Sequence, residues 1–178
     1  NMWSVSSSKV ELIYQFANEG VNVVLSNAPN AYMDMAYNSS KTERGHNWSG
    51  YVDERRSYSL LPYSVYKSIR WDDNGKICDI SSAGEGKVAL QEEGSRHILG
   101  TQAQLWTETI RSFDHVTYYT FPKVNGVLER GWNARPVWEG TDVSDSPEFN
   151  EAFGKFFSIV RKHEYPYFDE KGIAYHCN

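Results

Sequence analysis

The run Ser8-Lys9-Val10-Glu11-Leu12-Ile13-Tyr14-Gln15-Phe16-Ala17-Asn18-Glu19-Gly20 passes without a linker into Val21-Asn22-Val23-Val24-Leu25, and this junction sets the fold class. Its first part reads as a helix over about 9–19. Ser8 and Glu11 have the spacing of a capping box, Val10, Ile13, Phe16 and Ala17 share one face, and Gly20 follows as a stop. Its second part is short, β-branched and apolar at nearly every position. That pattern suits a strand covered on both faces of a parallel sheet, not the alternation of a half-solvated one. A helix delivering directly into such a strand is an α/β arrangement.

Working outward, Ser26 to Tyr58 is rich in Asn, Ser, Gly, Tyr and charge and follows neither period, so a long functional loop with room for one short helix is expected. Pro62 to Trp71 reads as a helix with proline near its start. Asp72-Asp73-Asn74-Gly75 is a turn that opens a hairpin around Lys76 to Ile80, and Ser81 to Gly86 is a link. His97 to Trp106 reads as a second buried strand whose polar end, Thr107-Glu108, carries chemistry-capable groups. A helix over about 115–131 has Val124, Val127 and Leu128 on one face and Gly131 at its close. The last helix starts at Ser146-Pro147 and carries Phe149, Phe153, Phe156, Phe157 and Val160 to about His163. One partial domain over 1–178 is expected, with 141–178 as its terminal helix and tail. Two buried parallel strands leave apolar outer edges with unpaired backbone groups, so the unit is expected to be incomplete. The abrupt opening at Asn1-Met2-Trp3 points the same way.

Composition narrows the function. Lys and Arg number 18 against 23 Asp and Glu in 178 residues, and no basic run interleaves with the aromatics, so nucleic acid is not an expected partner. Apolar runs such as Val21 to Leu25 fall far short of the roughly 20 residues of a spanning helix, so no membrane crossing is expected. Aromatic residues make up 15% of the chain, with six Trp and twelve Tyr. Their flat faces and polar handles match the C–H faces and hydroxyl edges of sugars, the plain alternative being a Trp-rich core. Cys78 and Cys177 lie far apart and could be bridged or free, and the histidines lack metal-ligand spacing, so neither a metal nor a cofactor is expected.

Five landmarks occur in a telling order. They are Asn1-Met2-Trp3; Val23-Val24-Leu25-Ser26-Asn27 leading to Tyr32-Met33-Asp34; Glu43-Arg44-Gly45-His46-Asn47-Trp48; Gly100-Thr101-Gln102-Ala103-Gln104-Leu105-Trp106-Thr107-Glu108; and Phe121-Pro122-Lys123 leading to Glu129-Arg130-Gly131-Trp132. Over about residues 1–140 this order resembles the C-terminal part of the catalytic barrel of family 20 glycoside hydrolases, the β-N-acetylhexosaminidases, in their chitobiase-like branch. The resemblance implies a (β/α)8 TIM barrel, of which the chain would supply strands seven and eight with their helices. Barrel enzymes carry their chemistry at the C-terminal ends of the strands, where Trp3, Tyr32, Asp34, Trp106 and Glu108 would fall. Lys123 stands where the family's Phe-Pro motif usually continues with Arg.

The resemblance also implies a substrate-assisted reaction, in which the substrate's own 2-acetamido oxygen attacks the anomeric carbon. The Asp-Glu pair that orients the amide and protonates the leaving oxygen would lie upstream of Asn1. Asp53-Glu54 and Asp72-Asp73 are adjacent carboxylates, but their loop and turn contexts read as solvated charges. Tyr32 would hold the acetamido oxygen, its alternative role being a buried tyrosine that caps the loop. Asp34 would accept hydrogen bonds from sugar hydroxyls at the far end of the ring and Glu108 from the 4-hydroxyl, the alternatives being an Asx turn and a helix N-terminal charge. Trp3 and Trp106 would wall the pocket and Trp48 would stack on the leaving-side sugar, whereas Trp71, Trp132 and Trp138 are assigned to packing. The histidines, His46 among them, are assigned to surface or loop positions.

The leading expectation is therefore the C-terminal segment of a β-N-acetylhexosaminidase, binding N-acetylglucosamine-containing glycans or chito-oligosaccharides beside the rest of a barrel and inactive alone. A secreted or periplasmic home is what the family implies. The alternatives are a carbohydrate-binding module without catalysis, and a folded or swapped piece prone to self-association through its open strand edges.

Overall fold

The computed structural model describes residues 7–68, 84–141 and 146–177. Helix α1 (Ser7–Asn18) leads through Gly20, at φ 83°, into strand β1 (Val23–Leu25). Two short helices follow, α2 (Ala28–Ala31) and α3 (Glu54–Tyr58), then a 3-10 turn at Val65–Ser68 and helix α4 (Glu92–Ser95). Strand β2 (Ile98–Thr101) precedes α5 (Phe113–Thr120), α6 (Val124–Trp132) and the long α7 (Pro147–Lys171). β1 and β2 pair in parallel, Val24 opposite Gly100 and Leu25 opposite Thr101. The α/β order expected from the first 25 residues is the order observed.

One face of the pair is closed by α1. Val10, Ile13, Tyr14 and Ala17 bury against Val23, Leu25, Ile98 and Val65. Each fully buried aliphatic here, such as Ile13 or Leu25, stabilises the fold by about 1.5–3 kcal/mol relative to an exposed one. A second core joins α3 to α7 through Tyr58, Leu61, Trp138 and Phe149. Gly126 lets α6 lie directly on α3, because a methyl there would come within 2.5 Å of the Tyr58 amide nitrogen.

Several expectations are corrected. Strand β2 is shorter than 97–106 and is not buried throughout: Ile98 faces the α1 core, whereas Leu99, on the opposite face of the strand, is 60% exposed. The helix expected over 115–131 is two helices, because Pro122 offers no N–H and its ring clashes with a preceding helical turn. The last helix runs past His163 to Lys171, where Gly172 takes the left-handed cap at φ 63° and Phe168 packs on Phe121 with ring centroids 4.8 Å apart. Helix α1 starts at Ser7, ahead of the expected cap Ser8, and Glu11 Oε1 accepts the Val88 N–H at 2.8 Å.

Asp53 and Glu54 are not solvated. Asp53 Oδ1 caps α3 by accepting the Arg56 N–H at 2.6 Å, and Glu54, 5% exposed, meets His176 Nδ1 at 3.0 Å. Trp138 is buried as assigned, but Trp132 is 93% exposed and packs no core. The loop expected from 26 to 58 holds two short helices, and of the helix expected from Pro62 the described part is the 3-10 turn. Trp3, Trp71, the Asp72-Asp73 turn, the 76–80 hairpin and Cys78 lie outside the described residues. No helix among the described residues is long and apolar enough to cross a membrane.

Candidate functional site

The chain leaves β1 through Ser26, whose hydroxyl donates to the Gln102 carbonyl at 3.0 Å, and makes the single turn of α2 with Pro29 in its first positions. Pairing with the segment after β2 then resumes. Gln104 N–H donates to the Ala31 carbonyl at 2.8 Å and Met33 N–H to the Gln104 carbonyl at 2.6 Å. Tyr32 is thereby fixed opposite Gln104, while Met33 turns into the core beside Ala31 and Val127. Two residues later the chain is held again: His46 N–H donates to the Asp34 carbonyl at 2.9 Å and Ala36 N–H to the His46 carbonyl at 2.8 Å. Gly45 permits this approach. It sits at φ 110°, and a methyl there would lie 2.6 Å from the Asp34 carbonyl oxygen and 2.9 Å from the Ala36 nitrogen.

These anchors gather Tyr32, Asp34, His46, Trp48, Trp106 and Glu108 around one open cleft of about 460 Å³. Tyr32 stands edge-on to Trp48 at 5.9 Å between ring centroids and tilted to Trp106 at 6.0 Å. Both tryptophans are about half exposed, whereas Tyr32 and Asp34 are 3% and 1% exposed, so the polar groups form the floor and the indoles the walls. Asp34 Oδ1 accepts the Trp106 N–H at 3.3 Å, which ties the second strand's extension to the first. Across the mouth, His46 Nε2 lies 4.0 Å from Glu108 Oε2.

The electrostatics follow from burial. Desolvation raises the Asp34 carboxyl above the ordinary carboxylate range, opposed by the Trp106 amide and by His46, while Glu108 adds to the rise. Desolvation likewise raises the Tyr32 phenol, opposed by a hydrogen bond with the Trp106 side chain. Beneath the floor, Lys123 is fully buried. Its Nζ donates to the Met35 carbonyl at 2.6 Å and lies 3.8 Å from the centre of the Tyr37 ring. Burial lowers this ammonium's pKa to about 7.

Five of the six expected site residues, Tyr32, Asp34, Trp48, Trp106 and Glu108, thus meet in one cleft; the sixth, Trp3, lies outside the described residues. His46 is the cleft residue that the sequence reading set aside. A signal was present: Tyr32/Asp34, His46/Trp48 and Trp106/Glu108 are three pairs spaced by two, the spacing that returns a side chain to the same side of an extended chain. Aromatic walls around two carboxylates, a phenol and an imidazole form a surface for a flat polyhydroxylated ligand. Among the described residues no group of three or more His, Cys, Asp and Glu is placed to hold a metal ion.

Residues 1–135 match the model of the glycosyl hydrolase family 20 catalytic domain, and the chain belongs to that family. Its relatives include the N,N'-diacetylchitobiase of Vibrio harveyi, 26% identical over 97% of this chain and 20% of the relative. The beta-hexosaminidase of Vibrio vulnificus is 29% identical over 93% of this chain and 21% of the relative. Among solved structures, the exo β-N-acetylglucosaminidase of Vibrio harveyi in complex with N-acetylglucosamine covers 98% of this chain with 21% of its own, at a TM-score of 0.64 and 20% identity. That likeness is one of fold. The chain spans about a fifth of the curated Vibrio relatives that it matches.

Proposed function

We propose that this chain forms the sugar-binding side of a β-N-acetylhexosaminidase site, corresponding to the region of strands seven and eight of a (β/α)8 barrel, with the general acid contributed from upstream of Asn1. The convergence of Tyr32, Asp34, Trp48, Trp106 and Glu108 on one cleft carries the reading, together with membership of the family. The ligand class is a terminal N-acetylhexosamine of a glycan or chito-oligosaccharide.

Each group has a physical task in that reaction. The Tyr32 hydroxyl donates to the acetamido oxygen and holds it in line with the anomeric carbon, which removes orientational freedom before the attack. As that oxygen bonds to the anomeric carbon and the bond to the leaving oxygen breaks, positive charge spreads over the new oxazolinium ring, and the leaving oxygen takes the proton of the upstream acid. Trp106 walls the acetamido side of the ring, and hydrolysis is completed when one water attacks the anomeric carbon, gives up a proton and reopens the oxazolinium to the acetamido group. Asp34 accepts hydrogen bonds from hydroxyls at the far end of the ring, Glu108 accepts from the 4-hydroxyl, and Trp48 stacks on the leaving-side sugar.

Hydrolysis of a chromogenic N-acetyl-β-glucosaminide by the purified 178-residue chain tests this assignment. No turnover is expected. Turnover at verified intact mass would place an acid within the chain and overturn the division of the site.

A further inference from the structure

His46 has a geometry that the roles above leave unused. Its backbone is held at both sides, to the Asp34 carbonyl and the Ala36 N–H, so the imidazole leaves the chain beside Asp34 and faces the cleft. Its Nε2 is 4.0 Å from Glu108 Oε2, too far for a direct hydrogen bond. A single oxygen atom about 2.8 Å from each would touch both, with an angle of roughly 90° at that oxygen.

Donor and acceptor chemistry narrows what that oxygen is. The two carboxylates of the cleft accept when ionised, whereas an imidazole with its proton on Nε2 donates. A carboxylate alone satisfies the hydrogen of a hydroxyl and leaves the oxygen's lone pairs without a donor. A carboxylate and an imidazole on either side satisfy both. An ether oxygen offers no hydrogen to Glu108, and a deoxy position offers nothing to either group.

We infer that His46 and Glu108 hold one sugar hydroxyl between them, the imidazole donating to it and the carboxylate accepting from it, so that His46 is a specificity residue for an unsubstituted hydroxyl. This rests on the proposed reading of the cleft, in which Glu108 faces the 4-hydroxyl of an N-acetylhexosamine.

The test is a cycle of four dissociation constants, measured by tryptophan fluorescence on the 178-residue chain. Methyl N-acetyl-β-glucosaminide and its 4-deoxy analogue are titrated into wild type and His46→Ala. Wild type is expected to prefer the hydroxylated ligand. His46→Ala is expected to weaken that ligand about tenfold and to leave the 4-deoxy analogue within about twofold. His46→Gln, which retains an N–H donor, recovers part of the loss. Equal weakening of both ligands by His46→Ala, or no weakening of either, overturns the inference and leaves the cleft reading standing. Equal binding of both ligands by wild type does the same, because the 4-hydroxyl is then not read at all. If wild type binds neither ligand, the cleft reading itself falls and the inference with it.

Discussion

Two concavities on this molecule have aromatic linings and similar size, and they differ in what lies between the rings. The cleft of about 460 Å³ sets Trp48 and Trp106 around a buried carboxyl and a buried phenol, each fixed by backbone pairing on both sides. The groove of about 550 Å³ between α6 and α7 sets exposed Trp132, Leu128 and Ile159 around Phe156 and Val160, with Glu129, His163 and Glu164 among its lining. Helix packing alone shapes the second. On the proposed reading of the cleft, aromatic surplus does not mark a ligand site by itself. Polar groups held at fixed register between aromatic faces do, since a desolvated hydrogen bond contributes only if its partner is already in place.

The sharpest way to break this contrast is to loosen the cleft's frame. Gly45→Ala places a methyl against the Asp34 carbonyl and the Ala36 nitrogen at a left-handed φ, and is expected to cost about 3 kcal/mol of stability and to abolish ligand binding. Denaturant titration read beside ligand titration checks it. Asp34→Asn keeps the shape but removes the charged acceptor. The expected loss is about 2 kcal/mol of sugar affinity, a rise of roughly 30-fold in Kd, with stability little changed.

Lys123 gives the contrast a pH signature. Its folded pKa of about 7 lies below the roughly 10.4 of an unfolded lysine, so between those values the unfolded chain binds more protons and stability rises with pH. The slope is at most about 1.4 kcal/mol per pH unit. Urea unfolding of wild type and Lys123→Met at pH 6 and pH 9 isolates it, and the difference between the two proteins is expected to shift in wild type's favour at pH 9. A difference that does not change with pH would show that this ammonium is not penalised by burial. The smallest effect is reserved for the groove: Trp132→Ser is expected to leave sugar affinity within about twofold, as a fully solvated ring outside the cleft should.

How much of this was legible depends on the range of the interactions. The α1–β1 junction is readable because periodicity and the glycine stop are local, and the landmarks around Tyr32, Trp48 and Trp106 are readable because their order and spacing resemble one family. What escaped was set by distant partners. Glu54 looks like a loop charge until His176, 122 residues away, closes on it. The extension of α7 past His163 depends on Phe121, which covers Phe168. Trp132, assigned to packing, is 93% exposed, and nothing local in the sequence separates it from the buried Trp138. His46 lacks metal-ligand spacing, a criterion that ignores the spacing of two that it shares with Trp48.

The central claim is that the cleft around Tyr32 and Trp106, and not the groove around Trp132, is the sugar site. It is tested most directly by titrating N-acetylglucosamine into wild type, Trp106→Phe and Trp132→Ser while following tryptophan fluorescence. A saturable change in wild type that persists in Trp132→Ser and is diminished in Trp106→Phe is the predicted result. A signal lost with Trp132, or no saturable change in wild type, would contradict it.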